Sequence, residues 1–226
     1  MNKTKQNFNR TINVIFDVDG TLWDSAGEVS NAWNSVLLKH TELGSPQITV
    51  EDMYRYMGHT MEEIALMMLP DAGEKQREEV MEECMEVENK WLMTHSGRFY
   101  PELAGTLDRL LTMGCRLYIV SNCQDGYIQA MLTCGGFTSK IRDFECFGRT
   151  KLQKGDNILL LMKRQGIAPE TAVYVGDTAM DEKAAKHAGI RFIHAKYGFG
   201  KADAPDASLS AIHELPEALS KMFPDF

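Results

Sequence analysis

The sequence lacks any long apolar run. The longest, Ile64 to Leu69, is six residues, where a membrane-spanning helix needs about 18 or more, so no membrane association is expected. A cluster of basic residues is also missing. Lys+Arg 24 against Asp+Glu 32 leaves a net charge of −8, which argues against nucleic-acid binding through phosphate neutralisation. Met1 to Arg10 is polar and has no apolar segment of the kind a secretory signal requires. Cysteine is scarce: Cys84, Cys115, Cys123, Cys134 and Cys146 are odd in number, and no two have C-x-x-C spacing. A disulfide framework and a zinc site are therefore not expected, a reducing cytoplasmic location is, and each thiol reads as a small buried hydrophobe. Neither G-x-x-x-x-G-K-[ST] nor G-x-G-x-x-G occurs, so a nucleotide-cradling loop is not supported. There is no internal repeat and no low-complexity segment.

Enough apolar material remains for a core, 44% of 226 residues. Its arrangement is periodic. Ile12–Phe16, Leu117–Val120, Ala172–Val175 and Arg191–His194 are short β-branched-rich runs that read as buried strands. Between them, helical patterns over 103–113, 158–165 and 179–188 each stop at a glycine (Gly114, Gly166, Gly189), the residue suited to a left-handed C-terminal cap. Strand and helix alternating in this way predict an α/β fold, a Rossmann-like parallel sheet with helices on both faces.

The stretch from Asp24 to Arg98 follows a different pattern, rich in Glu, Met and Leu and without a convincing strand. Ser25-x-x-Glu28, Thr49-x-x-Asp52 and Thr60-x-x-Glu63 are capping-box signatures, and a charged helical pattern runs from Glu74 to His95. We expect a small all-helical domain over 24–98, inserted into a core made of 1–23 and 99–226, with Gly97 and the Ala26–Gly27 pair as hinges. The methionines Met61, Met67, Met68, Met81 and Met85 read as helix packing rather than a recognition surface.

Ligands of an open parallel sheet bind at the carboxyl ends of its strands. After the first strand comes Asp17-Val18-Asp19-Gly20-Thr21; after the second, Ser121-Asn122; after a later one, Gly176-Asp177-Thr178-Ala179-Met180-Asp181. Four carboxylates directed to one point would raise one another's pKa unless a cation sits among them. Hard oxygen donors make Mg²⁺ the expected ion. Asp17 and Asp19 alternate on an extended segment and can reach one substrate, one as nucleophile and one as acid and base. Thr21 and Ser121 offer donors to an oxyanion, and Lys154 is placed to supply a cation, so phosphoryl transfer is the chemistry best served. Asp181 also completes a capping box with Thr178, a structural role that can coexist with a functional one.

The ordered set Asp17-x-Asp19-Gly20-Thr21, Ser121, Lys154 and Gly176-Asp177-x-x-x-Asp181 resembles the haloacid dehalogenase superfamily over nearly the whole chain. The helical insert lies where that superfamily carries its C1 cap. The resemblance implies an aspartyl-phosphate mechanism: Asp17 attacks phosphorus, and Asp19 protonates the leaving oxygen and then activates water. Mg²⁺ is held by Asp17, the backbone carbonyl of Asp19 and Asp177, with Asp181 in support. Thr21, Ser121 and Asn122 grip phosphoryl oxygens, with Lys154 neutralising charge. Many relatives carry K-P-x-P at the lysine, whereas this chain has Lys154-Gly155-Asp156-Asn157, so Lys151 stays open as a rival. Arg55 and His59 of the cap segment are candidate substrate contacts. His40, His95, His187, His194 and His213 are expected at the surface or at helix ends.

The expected activity is an Mg²⁺-dependent phosphatase for a small phosphorylated metabolite, similar to the phosphoglycolate phosphatases, in a monomer or homodimer. A sugar-phosphate mutase is the nearest rival, disfavoured because Met61 stands where such relatives carry an arginine. A 2-haloacid dehalogenase would not need Asp19. A phosphonoacetaldehyde hydrolase would need a cap lysine, for which Lys39 is the one early candidate. A non-catalytic binding protein on this fold would be expected to have lost Asp17 or Asp19.

Overall fold

The computed structural model describes residues 11–44 and 47–225. The expectation for Met1 to Arg10 lies outside these residues. The chain opens on β1 (Asn13–Phe16), whose four residues are all buried. Its parallel partners are β4 (Arg116–Ser121) on one side and β6 (Ala172–Gly176) on the other, with Phe16 opposite both Ile119 and Val175. β5 (Asp143–Cys146) extends the sheet beyond β4; β7 (Arg191–Ala195) and β8 (Ala207–Leu209) extend it beyond β6. The spatial order β5-β4-β1-β6-β7-β8, parallel throughout, changes direction at β1. That change opens a crevice at the carboxyl ends of β1, β4 and β6, where ligands of such sheets bind. The expected parallel α/β sheet is present, with two strands more than the apolar runs revealed.

Strand alternation divides the core between the two faces. Ile15, Tyr118, Val120 and Tyr174 pack against Ile158 and Leu161 of α8 (Lys154–Gln165) and Ala184 and Ala185 of α9 (Ala179–His187). Val14, Phe16, Ile119 and Val175 belong to a larger cluster with Leu107 of α5 (Leu103–Thr112), Ile128 of α6 (Tyr127–Gly135) and Leu219 of α10 (Leu215–Met222). Gly114, Gly166 and Gly189 take positive φ after α5, α8 and α9, as a left-handed cap requires.

Between β2 (Trp23–Asp24) and β3 (Arg98–Phe99), which pair as a short antiparallel ribbon, the described residues form four α-helices. These are α1 (Ala26–Leu37), α2 (Val50–Tyr56), α3 (Met61–Met68) and α4 (Glu74–Leu92). Thr49 and Thr60 form the capping boxes their spacing predicts. Ser25 does not, because its hydroxyl is drawn instead to Asp19 Oδ1 at 2.9 Å. Met68 and Met81 are buried, while Met67 is exposed, so the methionine stripe is only partly packing. The five cysteines are free thiols, all buried but the half-buried Cys134. Among the described residues no helix is long and apolar enough to cross a membrane.

Candidate active site

The residues following β1 turn back on themselves at once. Thr21 and Leu22 both donate backbone N–H groups to the Val18 carbonyl, and Gly20 takes φ +75°. A side chain on Gly20 would run into the Asp177 carboxylate, so glycine here lets the β1 loop and the β6 loop touch. The turn delivers Asp17, Asp19 and Thr21 to the crevice.

Asp17, Asp177 and Asp181 are buried, and one carboxylate oxygen of each lies within 4.8 Å of the others. Lys154, the first residue of α8, is also buried and extends between them, its Nζ 3.0 Å from Asp17 Oδ1 and 2.6 Å from Asp181 Oδ1. Burial works against its ammonium, but the two carboxylates outweigh burial and raise its pKa. Lys151 is exposed, and its Nζ lies 3.8 Å from Glu62. Of the two candidate lysines, Lys154 alone reaches the acids.

One lysine does not neutralise this cluster. Burial, then the neighbouring carboxylates, push Asp17 up to about 7 and Asp177 up to about 8, against the pull of Lys154. Asp177 Oδ2 accepts from the Phe199 and Gly200 amides at 2.7 and 3.2 Å, while its buried Oδ1 has no partner. A buried acceptor without a donor, among hard oxygen ligands, fits a divalent cation such as Mg²⁺. Asp181 is both capping residue and ion-pair partner: its Oδ2 accepts from the Thr178 amide and hydroxyl, which leaves Oδ1 for Lys154.

Asp19 is held by three donors converging on Oδ1: Trp23 Nε1 at 3.1 Å, the Ser25 hydroxyl at 2.9 Å and the Tyr127 hydroxyl at 2.6 Å. Burial raises its pKa and these hydrogen bonds oppose the rise. Among the described residues no hydrogen bond reaches Oδ2. The Thr21 hydroxyl is buried without a partner, Ser121 is buried at the end of β4, and Asn122 donates Nδ2 to the Gly58 carbonyl at 2.9 Å while its Oδ1 is unpartnered. The Asn122–Gly58 bond ties the loop between α2 and α3 to the sheet.

That loop roofs a cavity of about 40 Å³ over Asp17 and Asp19. His59 lines it, with Nδ1 3.3 Å from Glu63 Oε2. Arg55 does not line it; it is exposed and pairs with Asp52. The sequence reading missed four polar or aromatic wall residues: Trp33, Glu88, Gln124 and Tyr127. Glu88, in α4, is buried and accepts from Trp33 Nε1 at 2.5 Å. Burial pushes it up to about 8, against hydrogen bonds from Gln124 and Trp33. Its signal was present: Val80, Met81, Cys84, Glu88 and Leu92 are the buried residues of α4, so a glutamate occupies an apolar face. His194 also departs from expectation. It lies buried in β7 with Nε2 3.0 Å from the Asp177 carbonyl, because its strand runs inside the sheet.

Residues 14–195 match the haloacid dehalogenase-like hydrolase family. The chain is 30% identical over 220 residues to a phosphoglycolate phosphatase of Aquifex aeolicus, covering 94% of this chain and 99% of that one. A phosphoglycolate phosphatase of Escherichia coli is 28% identical over 234 residues, with 91% of each chain covered. A haloacid dehalogenase-like family protein of Streptococcus pneumoniae superposes with a TM-score of 0.79 at 22% identity, over 93% of this chain and 99% of that one, a likeness of fold.

Proposed function

The chain belongs to the haloacid dehalogenase-like hydrolases, and from that premise we propose a phosphatase for small phosphate esters that works through an aspartyl-phosphate on Asp17. The observation that carries the reading is the Asp17–Lys154–Asp181 array beside an Asp177 oxygen with no partner. The relatives named phosphoglycolate phosphatases support the same reaction class.

Asp17 attacks phosphorus, the bond to the ester oxygen breaks, and Asp19 gives that oxygen its proton. Asp19 then takes a proton from water as the water attacks the aspartyl-phosphate, freeing Asp17 and inorganic phosphate. Three donors on Oδ1 fix the Asp19 carboxyl and leave Oδ2 to carry the proton. Lys154 lowers the charge that the phosphoryl group meets at Asp17, and Thr21, Ser121 and Asn122 take its oxygens. Asp17, the Asp19 backbone carbonyl and Asp177 would hold Mg²⁺, which when bound would supply the remaining charge neutralisation. Asp181 acts through Lys154 and the 177–178 backbone.

Residues 24–98 serve as the cap and 1–23 with 99–226 as the core, the cap excluding water when closed. His59 contacts substrate; Arg55, turned to Asp52, has no part in the closed arrangement. Met61 in the cavity wall carries no charge for a second phosphate, which weighs against a mutase. Phosphate release from a panel of esters, with Mg²⁺ and with EDTA, tests the reaction. Metal-dependent release that falls to a few percent or less in Asp17→Asn is expected. Retention of substantial turnover by that variant would remove Asp17 as nucleophile.

A further inference from the structure

We propose that Glu88 selects the leaving group, and that the physiological ester carries on a short carbon chain a hydrogen-bond donor (a hydroxyl or an ammonium) and no carboxylate. The inference rests on the phosphatase reading and concerns the other end of the substrate. With Asp17 and Asp19 on its floor, the cavity has a third acid, Glu88, in its wall. Glu88 is 2% exposed, and Trp33 Nε1 fixes its Oε2 at 2.5 Å. The rest of the wall is largely apolar, including Val29, Met53, Met57 and Ile64. Its one basic side chain among the described residues, His59, already faces Glu63.

A carboxylate entering this space would meet no lysine or arginine among the described wall residues, and would lose its water with no cation there to compensate. A hydroxyl or ammonium finds an acceptor in Glu88 in either protonation state of that side chain. Size points the same way. The cavity over Asp17 and Asp19 is small, about 40 Å³, which favours a short ester over a nucleotide. Met61 and Gln124 also line an outer groove of about 680 Å³ whose walls carry Glu62, Glu74, Glu78, Glu82, Glu86 and Asp125 against only Arg77 and Lys151. That approach disfavours a second anionic end as well.

The test compares kcat/KM, with Mg²⁺, for phosphoglycolate, glycerol 3-phosphate and phosphoethanolamine, using p-nitrophenyl phosphate as a measure of the chemistry alone. Wild-type protein is expected to favour glycerol 3-phosphate or phosphoethanolamine over phosphoglycolate at least tenfold, and the two arms separate polyol from amine. Glu88→Gln is expected to shrink that ratio at least tenfold. A wild-type preference for phosphoglycolate overturns the inference even if the variant fails to fold. So does a Glu88→Gln protein whose rates on all three esters fall by one common factor, the mark of a structural role. Turnover of p-nitrophenyl phosphate with none of the three esters hydrolysed overturns the inference and spares the phosphatase reading. Failure on p-nitrophenyl phosphate as well overturns both.

Discussion

The Tyr127 hydroxyl donates to Asp19 Oδ1 at 2.6 Å, joining the first turn of α6 to the loop after β1 across 108 residues of sequence. The contact is buried on the tyrosine side and faces the crevice on the other. It belongs to a group of three donors that leaves the Asp19 carboxyl one orientation. A hydrogen bond to a carboxylate is worth about 1.5–3 kcal/mol, so Tyr127→Phe is expected to lower kcat by about 10- to 100-fold on an alkyl phosphate. The loss should be much smaller on p-nitrophenyl phosphate, whose leaving group needs little protonation. Equal losses on the two esters would mean that Tyr127 does not act through the Asp19 proton.

The two lysines near the α7 (Phe147–Thr150) to α8 turn should respond very differently to removal. Lys154 is the one cation between Asp17 and Asp181 among the described residues, and Lys154→Met leaves two buried carboxylates unpaired. The expected cost is about 3–5 kcal/mol of stability in metal-free protein, read by urea unfolding, with loss of turnover. Lys151→Met removes a solvent-exposed pair with Glu62 and should change stability by about 0.5 kcal/mol or less. Similar effects at both positions would contradict the assignment of Lys154.

The sheet was legible where strands are buried on both faces. β1, β4, β6 and β7 show as short apolar-rich runs because most positions along them are buried. β5 was not, since Asp143 and Glu145 interrupt it; the buried Glu145 is tolerated because Arg164 Nη1 meets it at 2.7 Å. β8 was too short, at three residues, to carry a period. The acids of the site were legible because they follow strands, where spacing and position coincide. What orients them was not. Ser25 and Trp33 belong to α1 and its cap, Glu88 to α4 and Tyr127 to α6, and only packing brings the three helices together. Glu88 is one glutamate among several in α4, distinguished only by the face on which it falls.

Gly198 is a position where the metal site can be disturbed without touching a carboxylate. A side chain there would press on the Gly20 carbonyl and on Cβ of Asp177, both backed by packed loops. Gly198→Ala is expected to cost about 1–3 kcal/mol through overpacking and to raise the Mg²⁺ concentration for half-maximal activity about tenfold, with much of kcat restored at saturating metal. Gly105→Ala provides the contrast. Its site in α5 has open space around it, and alanine in a helix interior should stabilise by about 0.5–1 kcal/mol. An unchanged Mg²⁺ requirement in Gly198→Ala would dissociate the 198–200 loop from the metal site.

Glu88 also makes a prediction about pH that needs no substrate. Its folded pKa, about 8, lies above the 4.5 of an ordinary glutamate, chiefly because burial penalises the carboxylate. Below about 4.5 the group is protonated both folded and unfolded, so it contributes nothing to pH dependence. Between about 4.5 and 8 the unfolded chain has lost the proton while the folded one retains it, so stability falls as pH rises. Above 8 both forms are ionised and the loss is complete. Glu88→Gln cannot ionise, and glutamine keeps an oxygen for Trp33 Nε1. In EDTA, urea unfolding at pH 5 should therefore find variant and wild type alike, and at pH 8 the variant more stable, by an amount on the order of a few kcal/mol. Asp17 and Asp177 are also raised and destabilise metal-free protein in the same direction. They are common to both proteins, so they cancel in the difference. A difference that stays constant from pH 5 to pH 8 would mean that Glu88 is already ionised in the folded protein at pH 5, and that its bonds to Trp33 and Gln124 outweigh its burial.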